Sequence, residues 1–245
     1  YVVPDEITAV AENEHAMAYA VQDKDVARVF FAANSLDSLK EVLGEMPDGA
    51  GLEIMGKSLD QRVQAAIEES GFGHFATYRR ETNSKLADTY NLRAAEKLEG
   101  VDWRALCEVP DPSEAEDIHA LLYSMFSPIT SHTQTVEQLR SQIENGNVSV
   151  CRQDGKIVTL MTHFIQGRKI YVEHIINTGG GVNMHALMFG ALSEAVEAGV
   201  NVAYSWTRLD NKRSQGFFNR YGLDDDGMRN FVFVKNFMGE NNAVG

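Results

Sequence analysis

Three consecutive glycines, Gly179, Gly180 and Gly181, follow the apolar run Ile170 to Ile176 and open a stretch of helical spacing. That junction is suited to binding an anion. Glycine lets backbone N–H groups come close to a ligand, and the first turn of a helix holds N–H groups that have no intrahelical acceptor and carry partial positive charge. The spacing matches neither a P-loop, which needs Gly, four residues and then Gly-Lys-Ser/Thr, nor the Gly-x-Gly-x-x-Gly of a dinucleotide fold. A carboxylate, Glu173, interrupts the apolar run just before the glycines, and a charge there calls for a chemical reason. His174 is its neighbour, and strict strand alternation puts the two on opposite faces, so at most one faces a cleft.

The elements that position these residues form two successive units. From Ile7 to about Arg80 the pattern predicts strands alternating with two helices, in the order β-α-β-α-β. Val26 to Phe31 and Gly51 to Met55 are strand-like. Leu36, Leu39, Val42, Leu43 and Met46 share a helix face, and Pro47-Asp48-Gly49 stops that helix. Ser58 with Gln61 reads as a capping box for the next helix, Gly71 as its stop, and Phe75 to Tyr78 as the closing strand. Residues 83 to 98 read as a polar connecting helix.

The second unit begins near Trp103. Ser113 with Glu116 and Thr135 with Gln138 are expected to cap two helices. Three strands then form an antiparallel meander: Val148 to Arg152, Ile157 to Ile165 and Ile170 to Ile176, joined by turns at Asp154-Gly155 and Gln166-Gly167. The helix after the glycines stops at Gly199, Val200 to Leu209 is a strand, and a helix from Asn211 to Tyr221 ends at Gly222. Asp224-Asp225-Asp226-Gly227 reads as a solvated turn, and Phe231 to Val234 as the last strand. Both units end with helix, glycine turn and strand, the grammar of either an internal duplication or two similar α/β layers.

Composition bounds the function. The chain has 245 residues, 44% of them hydrophobic, enough for a substantial core. A net charge of −13 opposes binding to nucleic acid, which requires clustered Lys and Arg, and attracts cationic ligands or simply aids solubility. No apolar run approaches the roughly 18 residues of a membrane span, and no secretory signal pattern opens the sequence, so a cytoplasmic protein without a membrane partner is expected. Cys107 and Cys151 are too few for a disulfide framework and read as small core hydrophobes. His119, His132, His163 and His185 show no metal-ligand spacing, and no metal is expected.

Residues 103 to 236 resemble the GNAT acyltransferase superfamily in element order. The family's signature is Gln or Arg, two variable residues, Gly, one variable residue, then Gly or Ala, opening the helix after the fourth strand. Here Thr178-Gly179-Gly180-Gly181-Val182-Asn183 occupies that place, with Gly181 matching the first glycine, Thr178 replacing Gln or Arg, and Asn183 replacing the small residue. The family's second motif, an Asn after the fifth strand, a small residue, an aromatic pair and a closing Gly-aromatic, is similar to Asn211 to Leu223, including Phe217, Phe218 and Gly222, with Leu223 in the last aromatic place. Phe218 stands where many members carry a tyrosine acid, so either another group protonates the leaving thiolate or it departs unaided.

The resemblance implies an α/β (α+β) fold with a mixed, mostly antiparallel sheet flanked by helices. Residues 1–98 would form a degenerate GNAT-like domain and residues 99–245 the acyltransferase domain. It implies acetyl-CoA, or another acyl-CoA, as co-substrate and a small-molecule amine as acceptor, in a monomer or homodimer. Ile175, Ile176, Asn177, Thr178, Gly179, Gly180, Gly181, Val182, Asn183, Met184, Asn211, Arg213, Phe217 and Phe218 would line the coenzyme site, the amides of Gly179 to Met184 meeting the pyrophosphate. A splay between the fourth and fifth strands would admit the pantetheine arm. Lys212, Arg213 and Arg220 suit the adenosine phosphate or are solvated surface charge. Glu173 is the candidate base with His174 as runner-up, Tyr204 and Ser205 are further proton carriers, and the N–H of Ile176 is the expected oxyanion donor. In the first unit, Ala32-Ala33-Asn34-Ser35 leads into the helix without glycine and Ser35 is an ordinary N-cap, so no coenzyme site is expected there. The loop Ser127 to Gln134 is expected to bear on the choice of acceptor. Alternatives are an acyl-CoA-binding or interaction module without turnover and, less compatible with the acidity, a member using aminoacyl-tRNA.

Overall fold

The computed structural model describes residues 7–89 and 98–237. These form two compact units, one of residues 7–78, 128–130 and 228–237, the other of residues 79–89, 98–127 and 131–227.

In the first unit β1 (Ile7–Asn13), β2 (Ala16–Asp23) and β3 (Val26–Ala33) form an antiparallel meander. Helix α1 (Leu36–Gly44) leads to β4 (Gly51–Gly56), which lies parallel to β3. Helix α2 (Gln61–Glu69) and the beginning of β5 (Phe72–Asn83) follow. The last strand of the chain, β10 (Asp224–Lys235), pairs antiparallel with β4 through Arg229–Val234. Small and branched residues fill the space beneath α1 and α2: Ala18, Ala20, Leu43, Leu52 and Ile67 are all buried. The cap of α2 is Asp60, whose carboxylate accepts from Arg62 N at 2.8 Å, in place of the Ser58–Gln61 box. A carboxylate one residue from the helix supplies the same acceptor with added attraction to the dipole.

Lys235 closes this unit. Its ammonium donates to the carbonyls of Leu43 at 3.2 Å and Gly44 at 3.1 Å, and also to Ser70 O, so one buried cation satisfies the C-termini of α1 and α2. Burial holds its pKa below the usual lysine value. Replacing Lys235 by Met keeps the stem and removes the ammonium donor from the Gly44 and Ser70 carbonyls, while Leu43 O keeps the Met46 N–H at 3.2 Å. The unfolding free energy is expected to fall by about 2–4 kcal/mol in urea titration.

In the second unit the strand order is β5-β9-β8-β7-β6. The meander is β6 (Val148–Gln153), β7 (Lys156–Gln166) and β8 (Lys169–Asn177), and β9 (Val202–Arg208) runs parallel to β8. Helices α3 (Leu86–Thr89) and α4 (Trp103–Leu106) are short. Residues 90–97 of the expected connecting helix lie outside the described residues, and residue 83 ends β5.

Helices α5 (Ala115–Met125), α6 (Pro128–Ser131) and α7 (Val136–Glu144) precede the meander, while α8 (Gly181–Glu197) and α9 (Lys212–Asn219) flank β9 in sequence. One core packs α8 and α9 on Met161, Ile170, Val172 and Ala203, and another packs α5 and α7 on Val148, Val150, Leu160 and Ile176. Thr135 and Gln138 form the expected capping box, whereas α5 is preceded by an Asp111–Glu114 box with Pro112 at its first position, not by Ser113–Glu116. Asp224–Asp226 begin β10 rather than forming a turn, because Arg79 reaches Asp225 at 3.5 Å and Arg80 reaches Asp226 at 2.6 Å. The first unit opens with three strands, in the order β-β-β-α-β-α-β rather than the expected β-α-β-α-β, because Ile7–Asn13 and Ala16–Asp23 form strands ahead of Val26. It shares the meander, helix, parallel strand and helix order of the second.

Candidate active site

The site forms at a fork. Among the described residues, β8 and β9 pair only through Lys169–Tyr171 against Val202–Tyr204. At the point of parting, the buried Ser205 hydroxyl donates to Val172 O at 2.8 Å. Ser205 thus has its proton engaged in bracing the fork, on the fifth strand of the meander-and-helix order where the sequence placed a proton carrier.

Beyond the fork β8 carries a β-bulge. Thr162 faces His174 and His163 faces Val172 across to β7, so Glu173 is the extra residue. The bulge changes the phase of the strand. Val172 and Ile175 pack under α8, Ile176 packs under α5 and α7, and the two residues between 172 and 175 project to one side. The expectation that Glu173 and His174 point to opposite faces is therefore corrected: Glu173 Oε2 lies 3.8 Å from His174 Nδ1. Both meet Thr162 Oγ1, which is 3.5 Å from Glu173 Oε2 and 3.1 Å from His174 Nδ1. Gln134 Nε2 donates to the Glu173 carboxylate, and His174 Nε2 lies 3.1 Å from the carbonyl of Ser131. Because a carbonyl only accepts, Nε2 carries the hydrogen, and in the neutral ring Nδ1 accepts from Thr162.

The same phase shift moves the free amides. His174 N–H donates to Thr162 Oγ1 at 3.2 Å and Thr178 N–H to Val158 O at 2.9 Å, both toward β7. Alternation turns the Ile176 N–H the same way, opposite Leu160, so it is not placed as an oxyanion donor. Ile175 and Asn177 present their amides to the opposite edge, from which β9 has diverged. The Asn177 side chain accepts from Thr159 Oγ1 at 2.9 Å.

The glycine loop narrows to three amides. Thr178 and Gly179 both direct their N–H groups to Val158 O, at 2.9 and 3.1 Å, and Asn183 N–H turns back to Gly180 O at 3.2 Å. The amides of Gly180, Gly181 and Val182 remain at the open end of the 17-residue helix α8, whose N-cap Gly180 gives it no side-chain cap. A Cβ on Gly180 or Gly181 would meet nothing within 4 Å, while one on Gly179 would meet the Val158 side chain at 3.0 Å. Gly179 is thus required for packing, and the next two leave room for a ligand. In the first unit, α1 begins with Ser35, whose side chain accepts from Ser38 N at 3.5 Å. There the helix end is closed by its own chain.

The remaining expected residues are dispersed. Tyr204 stacks on Tyr171 with ring centroids 4.9 Å apart; burial raises its pKa, with Arg80 opposing and Glu173 adding to the shift. Asn211 caps α9 by accepting from Ser214 N at 3.0 Å, Arg213 is exposed, and Met184 is half-buried against the core under α8. Phe217 and Phe218 are buried with their rings 5.5 Å apart. Tyr221 brings a hydroxyl to the same helix end, but it is buried and bound to His185, 2.7 Å from Nδ1. Sequence reasoning missed Thr162 and Gln134 as members of the polar cluster. Gln134 lay in the loop singled out for acceptor choice, whereas nothing in the alternation of β7 marks Thr162.

His163, beside the bulge, is 4% exposed and its Nδ1 has no hydrogen-bond partner. Burial lowers its pKa to about 4. The unfolded chain takes up this proton first, so stability falls as pH drops from about 6.5 toward 4. Replacing His163 by Leu is expected to remove about 2 kcal/mol of the stability difference between pH 7 and pH 5, read from urea titrations at both.

Among the described residues no group of three or more His, Cys, Asp or Glu is placed to hold a metal ion, and no helix is long and apolar enough to cross a membrane. No family model matches the chain, and no curated protein does. Solved structures do. A GCN5-related N-acetyltransferase from Sphaerobacter thermophilus has a TM-score of 0.58 at 12% identity, covering 90% of this chain and 76% of its own. An acetyltransferase of the GNAT family from Novosphingobium aromaticivorans has 0.56 at 11% identity, with 92% and 90% covered. A tandem GNAT protein from the clavulanic acid biosynthesis pathway has 0.54 at 10% identity, with 97% and 86% covered. These likenesses establish the GNAT fold.

Proposed function

We propose that the chain is an acyl-CoA-dependent N-acyltransferase that moves an acetyl group from acetyl-CoA to the amine of a small molecule. The observation that carries this reading is the uncapped N-terminus of α8 beside the fork: three amides without an acceptor, over two glycines with open space, next to a strand edge left unpaired. Gly180, Gly181 and Val182 hold the pyrophosphate, and the edge of β8 takes the pantetheine arm as a strand would. Acetyl-CoA supplies the acyl carbon and a thiolate leaving group. Ile175 N–H, at the open edge, donates to the carbonyl oxygen as charge develops there. Glu173 accepts the amine proton, with Gln134 donating to the carboxylate and Thr162 holding the His174 ring beside it.

Residues 1–98 and 99–245 are read as two halves of one duplicated design. Only the second keeps the glycine opening, since Ser35 closes the corresponding helix in the first. The net charge of −13 favours a cationic acceptor. A cytoplasmic location and a monomer or homodimer complete the reading. The burial of Phe218 where the family often has tyrosine favours a second reading, an acyl-CoA-binding module without turnover. Calorimetry with acetyl-CoA and thiol release with a panel of primary amines distinguish these. Binding with amine-dependent thiol release supports the enzyme, binding alone the module, and no binding rejects both.

A further inference from the structure

Cys107 and Cys151 are not used by the reaction, and their placement is specific. Glu108 N–H donates to Val150 O at 3.0 Å and Val150 N–H to Glu108 O at 2.9 Å, a reciprocal antiparallel pair. The residues flanking such a pair occupy the non-hydrogen-bonded position, where opposing Cα atoms are about 4.5 Å apart and side chains leave from one face. Cys107 and Cys151 occupy that position, with Cys107 in extended backbone at φ −109 and ψ 136. The spacing usual at that position lies within the Cα range of about 4.4–6.8 Å that a disulfide requires. Both side chains pack in the core under α8, where the Cys151 thiol donates to Asn183 O at 3.7 Å. Cys107 is half-buried and Cys151 is 1% exposed.

We infer that Cys107 and Cys151 are an oxidation site that closes as an intramolecular cross-strand disulfide. The oxidant is a small-molecule disulfide. The Cys107 thiolate, the accessible one, attacks one sulfur of the oxidant and releases the other half as a thiol. The Cys151 thiolate then attacks the Cys107 sulfur of the mixed disulfide and releases the second thiol. The two cysteines lose two protons and two electrons, and the oxidant is reduced to two thiols. The neighbouring Cys151 sulfur, followed by burial, holds the Cys107 thiol above the usual range, so attack by Cys107 quickens as pH rises. Cys107 in turn holds the Cys151 thiol below that range, which poises Cys151 to resolve the mixed disulfide. The closed loop contains α5, α6 and α7, together with Ser131 and Gln134, and its closure restricts the unfolded chain.

The test incubates the full chain with oxidised glutathione at pH 8 and follows intact mass, native thiol titration and melting temperature. The expected product has lost two hydrogens, carries no glutathione, joins the Cys107 and Cys151 peptides, and melts at a higher temperature that returns to the starting value with reductant. Cys151→Ser is expected to trap one glutathione on Cys107. A wild-type chain that retains the glutathione adduct, keeps both thiols titratable, or cross-links only between molecules overturns the inference. If the variant does not fold, the wild-type mass and thiol count decide alone.

Discussion

Replacing Glu173 by glutamine is expected to lower kcat/KM for acetyl transfer by about 10²–10⁴-fold and to leave the affinity for acetyl-CoA unchanged. The substitution keeps size and a hydrogen-bond acceptor, so the hydrogen bond from Gln134 has a surviving partner, but an amide cannot take up the amine proton. The proposed coenzyme cradle, the amides of Gly180 to Val182, lies on the other side of the strand's phase change and is untouched by the substitution. Steady-state thiol release with a primary amine reads the loss, and calorimetry reads the unchanged affinity. Full activity in the variant would remove Glu173 as the base and transfer that role to His174, which shares its face and its contact with Thr162. A loss of acetyl-CoA binding alongside activity would show instead that the variant disturbs the fork.

How much of this was legible follows from what each residue pattern encodes. The meander was legible because Asp154-Gly155 and Gln166-Gly167 bracket alternating apolar strands, and the glycine-opened helix because its face recurs from Met184 to Ala195. The bulge was not. One extra residue at Glu173 leaves composition and turn signals unchanged, yet it reverses every later side chain and amide of β8, moving the open amide from Ile176 to Ile175. Alternation describes a strand only while its partner keeps register. The caps at Asp60 and Asp111 were displaced for a different reason. Ser58 and Ser113 lie two residues away in equally plausible spacing, and only backbone direction decides which oxygen faces the helix. Asp224–Asp226 resembled a turn because their partners, Arg79 and Arg80, are distant in sequence.

Gly181→Pro tests the cradle without disturbing the helix that forms it. Gly181 is the first residue of α8, the position at which proline is favoured, and Gly180 before it is extended, with φ −76 and ψ 154, as the residue before proline prefers. A Cβ at Gly181 meets nothing within 4 Å. The change therefore removes one N–H that has no acceptor within the protein and little else. A hydrogen bond to a charged group contributes about 1.5–3 kcal/mol, so acetyl-CoA affinity is expected to weaken by about 10- to 100-fold with the melting temperature of the free protein unchanged. Gly181→Ala, which fills space but keeps the amide, is the control and is expected to bind as the wild type does. Equal binding by the proline variant would mean that the phosphates do not sit on these amides. Equal weakening by alanine would mean that space above the helix, rather than the N–H, is what the ligand requires.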